Sequence, residues 1–239
     1  MKSIKFFLLA GLLCFLTVSL TAQTLTSGSI KMEITEVNSD NEQMAAGLEM
    51  MKGMITEYSF NKEYSMSTSD IMGGMVKTKS LIKNESEDMT MLMDMMGNKM
   101  HVESTKAERD KAMAGNDMMD DIDVSYDDTD KKTILGYDCI KATVTGIGGE
   151  EMSMKFNMYV AKDLKMSNKL IQGMDAIDLD GFPLEYTLEN EQMTMTYAAT
   201  EINKEISADA FDLKTAGYTK MTWEEFTESM QAMGGGMGF

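Results

Sequence analysis

"MTMLMDMMGNKMH", Met89 to His101, places six methionines in thirteen residues and ends on the single histidine of the chain. Met89, Met91, Met93 and Met95 share one parity, so on a strand they line one face, while Thr90, Leu92 and Asp94 line the other. Gly97-Asn98 reads as a two-residue type II′ hairpin loop. That loop would set Met95 opposite Met100, Met93 opposite Val102 and Asp94 opposite His101. The histidine then lies on the face away from the methionine stripe, beside a carboxylate and facing water. A copper site built from His101 and the stripe together would need a slipped register, which would also turn the stripe outward. Thioether-only Cu(I) binding stays chemically open, because soft sulfur suits Cu(I).

The same alternation recurs through the chain. Ile30, Met32 and Ile34 alternate with Lys31, Glu33 and Thr35, and Tyr58 with Phe60, then Tyr64 with Met66, continue it. "MSMKFNMYV" (152–160) aligns Met152, Met154, Phe156, Met158 and Val160. "FPLEYTL" (182–188) aligns Phe182, Leu184, Tyr186 and Leu188, and "MTMTY" (193–197) aligns Met193, Met195 and Tyr197. Period two with one apolar face describes antiparallel strands packed on one side. About nine or ten such strands are expected, joined by short Gly/Asn/Asp turns.

Helices are fewer. Residues 39–51 carry Met44, Leu48 and Met51 on one stripe, and 105–115 is short and polar. Residues 222–233 have Thr222 as N-cap, Glu225 at the capping-box position, and Trp223, Phe226, Met230 and Met233 on one side. Many strands with few amphipathic helices predict an α+β, mostly antiparallel fold, a curved half-barrel sheet covered by helices.

The chain has 239 residues. Lys2, Lys5 and the run "FFLLAGLLCFLTVSL" ahead of "TAQT" predict a secretory signal peptide over 1–22, cleaved after Ala22. Residues 23–233 are then one β-rich domain and 234–239 a flexible Gly-rich tail. The expected location is the periplasm or outside the cell, with no membrane span after cleavage. Losing Lys2 and Lys5 takes the formal charge from −17 to −19. Such acidity repels nucleic acid and anionic headgroups. Cys14 leaves with the leader, so Cys139 has no intrachain partner and, in "GYDCIKATV", reads as a sheltered thiol on a strand.

Catalytic motifs are absent: the chain has no G-x-S-x-G, no HExxH and no phosphate loop. The Asp-rich stretches 116–130 and 175–181 lack the EF-hand pattern and read as solvated acidic loops. No enzyme activity, cofactor or metal site is expected.

The segments "KKTILGYDCIKATV" (131–144), "MYVAKDLKMS" (158–167), "GFPLEYTL" (181–188) and "FDLKTAGYTKMTWEEF" (211–226) resemble an uncharacterised family of exported bacterial domains with an Ile-x-Gly-Tyr-x-Cys strand. Lys214 or Thr215 stands where that family often has proline. The family is similar in architecture to LolA/LolB-type lipoprotein carriers, which implies a half-barrel around a hydrophobic cavity and a Gram-negative envelope location.

The expected function is therefore a non-enzymatic binding or carrier domain. Its partner would be a lipid, a lipoprotein acyl chain or another apolar molecule. The ligand would lie on a face lined by Met89, Met91, Met93, Met95, Met152, Met154, Phe156, Met158, Met193 and Met195. The alternatives are a protein that sequesters Cu(I) through thioethers and a structural envelope protein with a filled core.

Overall fold

The computed structural model describes residues 24–232 except 72, 114–121, 148–153, 172, 175–176 and 208. The leader, Met152 and the C-terminal tail lie outside the described residues. Twelve strands form one sheet: β1 (Gly28–Ser39), β2 (Ile55–Phe60), β3 (Tyr64–Ile71), β4 (Val76–Lys83), β5 (Met89–Met95), β6 (Asn98–Ser104), β7 (Asp123–Ile134), β8 (Tyr137–Ile147), β9 (Met154–Ala161), β10 (Phe182–Glu189), β11 (Met193–Asn203) and β12 (Thr219–Thr222). Three α-helices accompany them: α1 (Glu42–Glu49), α2 (Lys106–Met113) and α3 (Trp223–Ala232). The sheet order is β12-β6-β5-β4-β3-β2-β1-β11-β10-β9-β8-β7, so β12 and β7 are edges and the sheet is not closed into a barrel. Pairing is antiparallel except for β12 on β6.

The sheet curls. Strands β2 and β10 are three spacings apart, about 14 Å on a flat sheet, yet the Tyr58 and Phe182 rings meet edge-on with centroids 5.6 Å apart. The described residues of the connection from β9 to β10 (162–181) fill part of the concave side. Its Leu164, Met166, Ile171, Met174 and Ile177 are buried with Ile30, Phe60, Phe156 and Phe182 in the main core. Asn168 ties this plug together by donating from Nδ2 to the Met174 carbonyl (3.0 Å) and the Ile177 carbonyl (2.8 Å). Gly181 ends it at a φ of +127°, where an added Cβ would lie 2.3 Å from the Ala161 carbonyl oxygen. Ile177 therefore belongs to the core, and the acidic stretch around it is not simply a solvated loop.

The helices start where their capping residues stand. Asn41 Oδ1 accepts from Gln43 and Met44 N–H at the head of α1. In α3, Thr222 Oγ1 accepts from Glu225 N–H (3.2 Å) and Glu225 Oε2 accepts from Thr222 N–H (2.7 Å), the reciprocal box expected there.

Three expectations are corrected. The β5–β6 turn is Met96-Gly97, with φ of 51° and 91°, a type I′ geometry that matches strand twist. It pairs Met93 with Met100, Leu92 with His101 and Asp94 with Lys99. The offset is even, so the stripe keeps its face, but the His101–Asp94 pairing is lost. His101 is largely buried on the outer face with Nε2 3.2 Å from Glu103 Oε1. Second, His101 does not face water, its side chain being only 12% exposed. Tyr64 and Met66 keep the expected alternation but lie on the outer face, because Tyr58 pairs with Ser67 and Phe60 with Ser65. Third, residues 123–130 of the acidic stretch are part of edge strand β7 rather than a loop.

The described residues of 204–218 cover Tyr64 on that outer face. This strap runs over the outer face, where Phe211 packs on Tyr64 at 5.8 Å and Tyr218 lies under Lys99 at 5.6 Å. It rounds the sheet edge as β12, and α3 then packs on the opposite, inward face.

Candidate functional site on the inward face

The registers carry one inward face across half the sheet without a break. Ile30 pairs with Tyr58, Tyr58 with Ser67, Ser67 with Ser80, Ser80 with Met91, Met91 with Val102, and Val102 with Met221. A parallel row runs Met32, Thr56, Ser69, Thr78, Met93, Met100. Directly paired residues point to the same side, so the face changes character as it is crossed. It is aromatic and aliphatic at β1–β2, hydroxyl-bearing at β3–β4, and thioether at β5–β6. Ser67, Ser69, Thr78 and Ser80 are only half-buried, and Ser69 and Thr78 hydroxyls lie 2.6 Å apart.

Apolar residues accordingly gather in three clusters instead of one methionine-lined surface. Met91, Met93, Met100 and Val102 are buried beneath Phe226 of α3, with Met95, Met221, Trp223 and Met230 around them. Ile34, Leu48 and Met195 form a second cluster under α1, flanked by Met44, Met51, Met54 and Met193. Phe156 and Met158 are buried in the main core, with Met154 packed against it. Met89 is half-buried opposite Ser104 at the end of the β5 stripe.

Methionine is unevenly shared. Among the described residues, the main core has four among 23 buried residues, whereas the cluster under α3 has three among five and three more at its margin. The α1 cluster adds five more, counting its margin. Thioethers concentrate where a helix covers the sheet.

The Trp223 indole N–H is buried with no hydrogen-bond partner among the described residues, where an unmet donor costs about 1–3 kcal/mol. At the other end of the inward face, a cleft of about 670 Å³ opens beside the plug. Leu164, Met166 and Leu179 line it together with Asn61, Lys62, Asn84, Lys165 and Asp180. Asn84 organises this mouth by accepting from Ser65 Oγ (2.8 Å) and donating to the Asn61 carbonyl (2.9 Å). Its size lies within the roughly 300–1,000 Å³ of small-molecule sites.

Two inert features bound the chemistry. Cys139 is fully buried and its thiol is pushed up to about 11 by burial, so little thiolate forms near neutrality. The phenols of Tyr58, Tyr186 and Tyr197 are also raised by burial, that of Tyr197 to about 12. Tyr186 and Tyr197 stack at 4.5 Å. Among the described residues no three His, Cys, Asp or Glu side chains converge as metal ligands, and no helix is long and apolar enough to cross a membrane.

No family model and no curated protein matches the chain. Among solved structures it is similar to the lipoprotein LppX of Mycobacterium tuberculosis, at 8% identity over 77% of this chain and 90% of that one, with a TM-score of 0.36. LprF from Mycobacterium bovis matches at 12% identity over 76% and 88%, TM-score 0.30. The MucA/MucB complex structure from Pseudomonas aeruginosa matches at 11% over 79% and 56%, TM-score 0.33. Likenesses this distant carry no argument about ligand or mechanism.

Proposed function

We propose that this protein is an exported, non-enzymatic carrier domain of the LolA/LolB half-barrel kind. It holds a lipid, an acyl chain or another apolar molecule against the inward face. The observation that carries the reading is the concentration of methionine at the two helix–sheet contacts. A thioether side chain is unbranched, polarizable and tolerant of repacking. A helix seated on methionine shifts or lifts with less loss of packing than one seated on interlocked branched residues. Met91, Met93 and Met95 under α3, with Met89 at the end of the same strand stripe, and Met193 and Met195 under α1, are the adaptable walls. The half-buried hydroxyls of β3–β4 lie between the α3 wall and the main core. Phe156 and Met158, with Met154 packed against them, form the fixed floor.

The acidity of the chain fits a ligand held by burial rather than by charge. Native mass spectrometry of the protein purified from its own host tests the reading. A co-purifying mass of lipid size is expected. An empty protein that also fails to bind a dansyl-labelled fatty acid would end it.

A further inference from the structure

The cluster under α3 has a second property that the carrier reading does not use. Met93 and Met100 are direct cross-strand partners, and Met91 is two residues along the same strand on the same face. Direct partners have Cβ atoms about 5 Å apart and diagonal ones about 7–8 Å, and alternate residues on a strand are about 7 Å apart. The three Cβ atoms thus form a triangle whose centre is about 4 Å from each, a distance that a thioether two bonds further out spans. All three side chains are almost wholly buried, and Trp223 and Phe226 close the cluster from the helix side.

We infer that Met91, Met93 and Met100 form a three-coordinate thioether site for a soft monovalent cation, Cu(I). Soft sulfur donors select Cu(I) over the hard cations that prefer carboxylate oxygen. The aromatic faces beside the cluster tolerate a cation, and the acidic surface raises the local cation concentration. His101 takes no part, since it sits across the sheet beside Glu103. The methionines under α1 provide the internal contrast. Met44, Met51 and Met54 come from a helix and its trailing turn, and only Met193 and Met195 share a strand there. Among the described residues that cluster has no cross-strand methionine pair, Met195 facing Val37 and Met193 facing Ser39.

The test is an anaerobic titration of the full chain with Cu(I) against a chromogenic Cu(I) chelator, with Ag(I) as the redox-inert check. One equivalent should be taken from the chelator. Met93→Leu with Met100→Leu conserves volume and fold, and should weaken binding at least tenfold. Met44→Leu with Met51→Leu should leave it unchanged. A wild-type protein that removes no copper from the chelator would overturn the inference. So would equal losses in the two double variants. Neither outcome bears on binding of the dansyl-labelled fatty acid, so the carrier reading is judged separately.

Discussion

The inward face is filled in two different ways. Over β8–β10 the chain supplies its own filling, the described part of the plug 162–181, whose Leu164, Met166, Ile171, Met174 and Ile177 are buried with Phe156 and Phe182 and which Asn168 pins. Over β5–β6 and the β1–β11 end the filling is a helix laid on methionine. Interlocked branched and aromatic side chains specify one arrangement, whereas methionine admits several of similar energy. The comparison separates a rigid floor from a yielding cover, and the cover is where a ligand would enter.

Identical substitutions in the two regions sharpen the contrast most. Met174→Ala, in the plug, should cost about 3 kcal/mol, as a large-to-small change at a fully buried position does. Met230→Ala, on the half-buried margin of α3, should cost about 1 kcal/mol. Urea denaturation of both variants checks this, and equal losses would erase the distinction.

Alkaline pH probes the rigid side. The phenols of Tyr58, Tyr186 and Tyr197 have folded-state pKa values above the unfolded value, so the folded protein favours their neutral form. Their contribution to stability is complete below about pH 10 and is lost as pH rises through the folded values, about 12 for Tyr197. Ultraviolet titration should show these three ionising only together with unfolding. Early reversible ionisation with the fold intact would contradict the tight packing around them.

The smallest effect concerns the cover alone. Thr222→Ala removes half of the capping box and should cost about 1 kcal/mol. Hydrogen exchange should quicken in α3 and stay unchanged in β8–β10. Uniform quickening would mean that the helix unfolds only with the whole domain.

The sequence was legible where one local rule decided the outcome. The capping box at Thr222–Glu225 and the parity of Met89–Met95 follow from side-chain chemistry and strand period, and both stand in the structure. The turn after Met95 was not legible to the residue, since Gly97 suits either position of a primed turn and only the twist favours Met96-Gly97. Strand β4 is faint because its inward residues include Thr78 and Ser80, which give little apolar alternation. The outward turn of Tyr64 and Met66 depended on the strap 204–218, a segment without periodicity. Methionine's division among three clusters is a tertiary fact, and strand parity alone merged them into one face.

Methyl-13C methionine NMR during titration with the dansyl-labelled fatty acid tests the yielding cover most directly. A yielding cover gives shifts at Met91, Met93, Met100 and Met230 under α3, with Met158 and Met174 in the plug-filled core unmoved. Binding that perturbs Met158 and Met174 while leaving the α3 methionines in place would contradict it.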